Sequence, residues 1–425
     1  MSIDRRTDPD AETDHSAEPL QTDLTMSEWS ESEPLDLTDR DIEMIESEIN
    51  KQRTRLNYNY TADGSVILGS THYVGIFSLP DGPTVEVRPK AAGTNLLHLY
   101  RYARGVAAPP LDSQSSVVAG RRFVDALATL YLEELETIWR SGLHTGYRHV
   151  QETEEHLRGR LNLQRQLQRQ GPTGMEFECD YDELTADTVE NRAVLYATRI
   201  LASLVQSNGL RRELQQHVTR FRRRVTLVPV QPHQLDQIEL TRLNDHYEDA
   251  LRYAELIING IYIDDFQSGT RPTLAVLIDM NRIFEAVVER AAREAIQDMD
   301  GLRVRGQGKV RGLVTGGKFP VRMRPDFVIR NHTDEVVFVG DAKWKTGSPN
   351  QADLYQLTAY QLADDVPGIL VYPSQYQSIE TEYTIQDTHS LRLVELPTAE
   401  GDRDYREFVE DFKTTLSGHL EDLIQ

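Results

Sequence analysis

The sequence predicts a multidomain α+β protein with a small β-rich amino-terminal module, a mainly helical middle region and a carboxy-terminal α/β domain with a mixed sheet. Three observations predict this fold class: short alternating apolar runs between residues 56 and 90, helical periodicity between 121 and 259, and helices alternating with strands from about 261. At 425 residues the chain is long enough for two or three domains, each with its own core.

Residues 1–35 are rich in Asp, Glu, Ser and Thr and poor in apolar residues, which predicts a disordered acidic tail. The formal net charge is −22, and only seven of the 46 basic residues are Lys. A large acid excess with few lysines suits a salty cytoplasm, so we predict a halophilic source. One cysteine, no signal-peptide pattern and no apolar run of about 20 residues predict a cytoplasmic protein without a membrane partner.

Residues 36–115 form the predicted β-rich module. Thr38 and Asp41 resemble a capping box that opens a helix through Ile42, Ile45 and Ile49. The runs SVILG, YVGIFSL and TVEVRPK then alternate apolar and polar residues between ADG and PDGP turns. This pattern predicts short strands joined by tight turns.

Residues 116–260 form the predicted helical region, with helices over 121–141, 188–206, 210–224 and 246–259. The segment RRELQQHVTRFRRRV, residues 211–225, places six arginines on one of these helices. Its arginines either follow a phosphate backbone or pair with carboxylates of the same protein. The pattern alone favours neither interpretation.

Residues 261–425 form the predicted α/β domain. The order is a strand (TLAVLI), a helix (NRIFEAVVERAAREAI), three strands (LRVRGQ, PDFVIR and VVFVGDAKWK), a helix (PNQADLYQLTAYQLA) and a strand (GILVYP). The second and third of the three central strands flank the polar turn NHTDE, which predicts a β-hairpin.

This hairpin brings two acids and a lysine together. Asp341 and Lys343 are two apart on one strand and therefore share a face. If the hairpin turns about Thr333, Asp326 lies opposite Gly340, beside Asp341. Paired carboxylates are unfavourable unless a cation shares their charge, and hard oxygen ligands select Mg²⁺ or Mn²⁺. With Lys343 orienting the attacking water, the site suits metal-assisted phosphodiester hydrolysis.

Four other residues extend this candidate site. Glu285, at the border of the apolar arc of the preceding helix, is either a third acid near the metal or an ordinary boundary residue. Gln356 and Tyr360, at i and i+4, either contact the scissile strand or pack the helix. Lys345 lies on the strand face of Lys343 and is a candidate to support or replace it. The alternative for the whole pattern is an exposed hairpin with salt-bridged ends.

The sequence resembles the PD-(D/E)xK nucleases, and more closely the McrC family, the nuclease subunits of McrBC-type restriction systems. The resemblance lies in IDMNRIFEAVV (278–288), RPDFVI (324–329), GDAKWK (340–345) and DLYQLTAY (353–360), with weaker matches in YVGIFSL, VEVRPK, HLRGRLNL and YDELTADTVENRAVLYA. It implies a PD-(D/E)xK restriction-endonuclease-like carboxy-terminal domain. It also implies catalytic roles for Glu285, Asp326, Asp341 and Lys343, metal binding by the three acids, and an accessory helix bearing Gln356 and Tyr360.

The resemblance further implies a partner, a hexameric McrB-like AAA+ GTPase that reads modified DNA, as in 5-methylcytosine restriction. By the same resemblance, the β-rich module of residues 36–115 is expected to contact this partner. We therefore expect a Mg²⁺-dependent endodeoxyribonuclease subunit of a modification-dependent defence system that also stimulates this GTPase. The alternatives are a non-cleaving assembly factor that activates the GTPase and a solitary nuclease.

The net charge predicts weak DNA binding by the isolated chain. A local basic track toward the metal site is the exception, formed by the 211–224 arginines with Arg303, Arg305, Lys309 and Arg311.

Overall fold

A computed structural model describes residues 23–51, 53–90, 93–105, 123–169, 175–259, 261–263, 274–297, 299–308, 310, 323–375, 377–385, 387–398 and 405–424. Within these ranges the fold is mixed α+β, with four sheets and 11 α-helices. None of these helices is long and apolar enough to cross a bilayer. The predicted tail before residue 23 and the basic residues Lys309 and Arg311 lie outside the described residues.

The amino-terminal module begins earlier than predicted. Its elements are β1 (Leu24–Ser27), α1 (Asp39–Met44), β2 (Leu56–Tyr60), β3 (Val66–Ser70), β4 (Tyr73–Ser78) and β5 (Thr84–Arg88). β1 pairs in parallel with β5 and buries Met26, so residues 23–35 are not the disordered tail that their composition predicts. The capping box is confirmed: the Thr38 hydroxyl accepts the Asp41 amide, and Asp41 accepts the Thr38 amide at 2.9 Å.

The four helices predicted for the middle region are present, as α3 (Phe123–Ser141), α5 (Val189–Leu204), α6 (Asn208–Arg222) and α8 (Glu248–Asn259). Three further helices were not predicted: α2 (Gly93–Arg104), which lies within the segment predicted to be β-rich, α4 (Leu163–Arg169) and α7 (Pro232–Leu235). α3, α5, α6 and α8 pack around a common core in which Tyr131, Phe221 and Ile257 are fully buried. Apolar residues at helical spacing therefore predicted both the elements and their buried faces.

The middle region also carries a three-stranded arm that was not predicted. We call residues 146–169 and 175–185 the arm; its strands are β6 (Gly146–Glu154), β7 (Arg160–Leu161) and β8 (Phe177–Thr185), in the order β6-β8-β7. Most β6 side chains are exposed, so the strand lacks the apolar alternation that marks a half-buried strand. Leu157, Leu163, Leu167 and Met175 lie on the arm and are all more than half exposed.

Two further strands complete the amino-terminal sheet. These are β9 (Ile261–Ile263) and β10 (Leu274–Asp279), and the sheet order is β1-β5-β4-β10-β9. The prediction that TLAVLI opens the carboxy-terminal sheet is therefore wrong, because β10 pairs antiparallel with β4. Gly75 permits this pairing: its φ is +142°, and a Cβ there would lie 1.9 Å from the Val276 carbonyl oxygen.

The carboxy-terminal domain contains the predicted mixed sheet, in the order β11-β12-β13-β14-β16-β15. Its elements are α9 (Met280–Ala295), β11 (Arg303–Gly306), β12 (Phe327–Arg330), β13 (Val336–Ala342), α10 (Gln351–Asp364), β14 (Gly368–Pro373), β15 (Thr381–Ile385), β16 (His389–Leu396) and α11 (Tyr405–Ile424). β13, β14 and β16 are parallel, and the other pairs are antiparallel. α9 and α11 pack on one face of the sheet and α10 on the other.

Candidate active site

The β12–β13 hairpin brings Asp326 next to Asp341. Phe327 pairs with Gly340, and the register shifts at Ile329, so that β13 carries one extra residue. Asp326 was predicted opposite Gly340; the shift moves it one position, opposite Asp341. The Ala342 amide donates to Asp326 Oδ2 at 2.8 Å, which fixes the carboxylate beside the end of β13.

Asp341 and Lys343 form an ion pair at this point, as their shared strand face predicted. Asp341 is 1% exposed, and apart from the ion pair its Oδ2 accepts no hydrogen bond from the described residues. The Lys343 ammonium also donates to Gln356 Oε1 at 3.1 Å, and the Lys343 amide donates to the Val371 carbonyl at 2.8 Å. The hairpin is therefore not the exposed, salt-bridged alternative, because its acidic end is buried.

α10 contributes both of its predicted residues. Gln356 Nε2 donates to the Tyr360 hydroxyl at 2.8 Å, and that hydroxyl donates to the Arg324 carbonyl at 3.3 Å. The side chains thus connect Lys343 to the backbone just before Asp326. Their i, i+4 spacing on one helix face makes this chain of contacts possible.

Lys345 does not join the acids. Its ammonium lies 2.9 Å from both oxygens of Asp353, in the first turn of α10, and Asp353 also accepts a hydrogen bond from Tyr372 at 3.4 Å. Lys345 therefore fixes α10 to the sheet. This arrangement leaves Lys343 as the lysine next to the acid pair.

Glu285 lies on α9, close enough to Asp341 and Lys343 to be affected by their charges. Burial raises the pKa of Glu285, and Asp279 and Asp341 raise it further, against the opposing effect of Lys343 and Arg282. However, no group of three or more His, Cys, Asp or Glu among the described residues is arranged to hold a metal ion. Glu285 is therefore close enough to sense Asp341 without forming a ready-made three-acid site.

The two acids do not readily carry a negative charge at the same time beside a single lysine. Burial raises the pKa of Asp326 to about 8, and the charges of Asp341 and Glu285 act in the same direction. Burial also opposes the charge of Lys343, but Asp341 outweighs this effect and raises the lysine pKa. Two adjacent carboxylates, of which Asp341 pairs through its Oδ2 with Lys343 alone among the described residues, are oxygen ligands of the kind that a hard divalent cation prefers.

Two side chains beside the site were not predicted from the sequence. Trp344 follows Lys343 but lies on the opposite face of the sheet, where its indole contacts the carboxylate of Glu28. These residues are 316 positions apart, and no local pattern in the sequence connects them. Only the assembled fold reveals this contact.

The chain matches one known family over more than half its length. A family profile described as McrBC 5-methylcytosine restriction system component matches residues 68–373. No curated protein sequence matches the chain.

Two solved structures are similar to it. A refined half-complex from a tetradecameric assembly of Thermococcus gammatolerans McrB AAA+ hexamers with bound McrC has a TM-score of 0.61 and 18% identity, covering 93% of this chain and 99% of the other. The cryo-EM structure of the Thermococcus gammatolerans McrBC complex has a TM-score of 0.44 and 18% identity, covering 64% and 88%.

Proposed function

This chain belongs to the family of McrBC 5-methylcytosine restriction system components, and from that premise we propose that it is the Mg²⁺-dependent endodeoxyribonuclease subunit of a modification-dependent defence system. The observation that carries the proposal is the convergence of Asp326, Asp341 and Lys343 at the buried end of one hairpin. That arrangement, between a sheet and α10, is the one expected of a PD-(D/E)xK nuclease domain.

In this proposal Asp326 and Asp341 hold Mg²⁺, or Mn²⁺ in its place, and Glu285 acts from the outer shell of ligands. The cation, when bound, polarises the phosphodiester and lowers the pKa of a water molecule. Lys343 orients the attacking water and stabilises the charge that develops on the phosphate oxygens. Gln356 holds the lysine ammonium, and Tyr360 holds Gln356 against the backbone at Arg324. Closure of the site by α10 keeps these groups in place before DNA arrives.

We further propose that the chain works with a hexameric AAA+ GTPase that delivers modified DNA and is stimulated in return. Support comes from the similar structure described as McrB AAA+ hexamers with bound McrC. The β-rich module remains our predicted docking region. The arm is a second candidate, since Leu163, Leu167 and Met175 expose apolar surface of the kind that marks protein contacts.

The alternative of a non-cleaving assembly factor has one observation in its favour. The three predicted metal-binding acids are not arranged as a ready-made site within the described residues. This observation does not exclude a nuclease, because Mg²⁺ is often bound through only one or two carboxylates and several water molecules.

A cleavage assay on the reconstituted pair tests the proposal. Asp341→Asn should lower Mg²⁺-dependent cleavage by about 10³-fold or more, because it removes a metal ligand and with it several kcal/mol of transition-state stabilisation. The matched control is Asp387→Asn, in the turn between β15 and β16. Asp387 is exposed, and its positive φ is one that Asn adopts readily. Full cleavage by Asp341→Asn would overturn the assignment of the metal site, and absence of cleavage by the wild-type pair would favour the assembly factor.

A further inference from the structure

The turn after β1 places a carboxylate inside the protein, against the strand that carries Lys343. Glu28 is 1% exposed. Its two oxygens accept the Trp344 indole N–H at 3.0 and 3.1 Å, and one of them also accepts the Lys90 amide at 3.0 Å. A residue of the amino-terminal module thus bonds directly to the residue that follows Lys343.

Trp344 is buried next to segments that carry two residues of the candidate site. Its ring lies 5.4 Å from that of Phe284, the residue before Glu285 on α9, and it is 5% exposed. Its backbone continues from Lys343, whose amide donates to the Val371 carbonyl. Because protein interiors are closely packed, we expect a displacement of this indole to shift the Lys343 backbone or the part of α9 that carries Glu285.

A buried carboxylate is unfavourable unless it is hydrogen-bonded, so an apolar side chain would fill the Glu28 position at lower cost. The Trp344 indole N–H, which is shared between both carboxylate oxygens, and the Lys90 amide give Glu28 a defined orientation that an apolar residue cannot provide. A hydrogen bond shared by both oxygens of one carboxylate is suited to fixing the position of the indole ring.

The same module also fixes the start of α9. Asp279 ends β10 and caps α9 by accepting the Arg282 amide at 3.2 Å. The Tyr73 hydroxyl, at 3.3 Å, and Arg53, at 3.5 Å, hold that carboxylate from the amino-terminal side. Amino-terminal residues therefore hold both the Trp344 side chain, next to Lys343, and the start of the helix that carries Glu285.

We propose that Glu28 is a positioning residue for the nuclease centre: it fixes the Trp344 indole, and through it the placement of Lys343 and Glu285. This inference rests on the proposed nuclease function and extends it, since the amino-terminal module becomes part of the catalytic apparatus as well as a docking region. Removing the carboxylate leaves every candidate metal ligand in the chain but loosens the groups around them.

The test compares Glu28→Ala, Glu28→Gln and Trp344→Phe with the control Glu31→Ala, which changes an exposed acid close by in the sequence. For the reconstituted pair with Mg²⁺, Glu28→Ala and Trp344→Phe should each lower kcat between about ten- and 100-fold, as expected when catalytic groups are slightly misplaced. KM for DNA should stay within about twofold, because neither residue lies on a DNA-binding surface. Glu28→Gln keeps one acceptor for the indole and should give an intermediate kcat.

The double variant Glu28→Ala/Trp344→Phe should be no slower than either single variant, because both remove the same hydrogen bond. Additive losses, or unchanged kcat in folded Glu28→Ala, would overturn the proposal. If Glu28→Ala does not fold, Trp344→Phe decides, since it keeps an aromatic ring and loses only the donor and part of the indole. Full kcat in that variant would also overturn the inference.

A readout that does not depend on cleavage accompanies the kinetics. The indole N–H resonance of Trp344, assigned by its absence in Trp344→Phe, should move upfield and exchange faster with solvent in Glu28→Ala, but not in Glu31→Ala. Absence of cleavage by the wild-type pair means that the proposed function has failed. Cleavage by the wild type with an unmoved indole resonance in Glu28→Ala means that this inference alone has failed.

Discussion

Asp326 and Asp341 show at the scale of single residues why we propose a cation at this site. Burial and repulsion from Asp341 raise the pKa of Asp326, because Lys343 is the one positive charge paired with the two acids among the described residues. A bound cation would favour ionisation of both acids. Their spacing in the sequence predicted that the two acids lie close together, but not that Asp341 is buried. α10, which packs on this face of the sheet, begins 10 residues after Asp341.

Mg²⁺ should stabilise the wild-type fold, and Asp326→Asn should abolish that effect. Binding to the folded state alone adds about 2.7 kcal/mol to the free energy of unfolding at 100 times the dissociation constant. In EDTA the variant should be at least as stable as the wild type, because Asn removes the repulsion and its oxygen still accepts the Ala342 amide. Thermal unfolding with and without Mg²⁺ measures both effects. The control Asp387→Asn, at an exposed turn, should keep the Mg²⁺ increment.

Glu28 predicts a pH dependence of stability. Burial raises its pKa from 4.5 to about 7, and the hydrogen bonds from Lys90 and Trp344 only partly oppose this. The folded protein therefore binds the proton more tightly than the unfolded chain. This contribution is fully present below pH 4.5 and is lost as the pH rises through 7. Relative to Glu28→Gln, the wild type should lose on the order of 3 kcal/mol of unfolding free energy between pH 4.5 and 8. Urea unfolding across this range measures it, and parallel curves would contradict the assignment.

α6 is the element on which the sequence left two interpretations open. Arg211 is buried and donates to Asn208 at 3.1 Å, and Arg220 lies 3.8 Å over the Trp139 ring, so both have structural roles. Arg222, Arg223 and Arg224, which end the helix and follow it, are exposed, and no carboxylate pairs with them within the described ranges. The exposed end of the segment is therefore available to a phosphate backbone.

Replacing these three arginines with Gln should weaken DNA binding by the reconstituted pair without changing sequence preference. Each lost phosphate contact should lower the slope of log affinity against log salt by about 0.9. Fluorescence anisotropy over a salt series measures the slope. A variant with the same charge change at exposed positions elsewhere controls for net charge: Arg40, Arg160 and Arg406 to Gln. Equal slopes in the two variants would rule out a specific role for α6.

The predicted elements were largely found, and the differences have local causes. Helices with a continuous apolar face, such as α5 and α9, were found close to their expected bounds because burial dictates their spacing. The hairpin register was wrong by one residue because a bulge carries no clear signal in the sequence. β10 was assigned to the wrong sheet because a fully apolar strand does not reveal its partner. The contact of Glu28 with Trp344 arises only when the whole fold assembles.

At the scale of the whole molecule, the net charge opposes DNA binding, which the proposed function requires. A net charge of −22 repels phosphates, yet the acid pair must approach a phosphodiester. The same acid excess is the basis of our prediction of a halophilic source. Of the residues that we predicted as a local basic track, Arg303 and Arg305 each pair with Asp334, at 2.9 and 4.0 Å, whereas Arg222, Arg223 and Arg224 are exposed. We therefore expect this track to offset the net charge only in part.

The isolated chain should therefore bind DNA weakly and cleave it inefficiently, whereas the chain with its GTPase and GTP should cleave modified duplex. A partner that binds DNA raises the local concentration of phosphodiester at the acid pair, and this higher concentration compensates for the repulsion. The measurement compares modified and unmodified duplex, with and without partner and GTP, at a salt concentration that keeps the chain folded. Asp341→Asn in the complete mixture shows whether the cutting belongs to this chain. Equal cutting of both duplexes by the isolated wild-type chain, lost in Asp341→Asn, would identify a solitary nuclease whose acid pair needs no delivery.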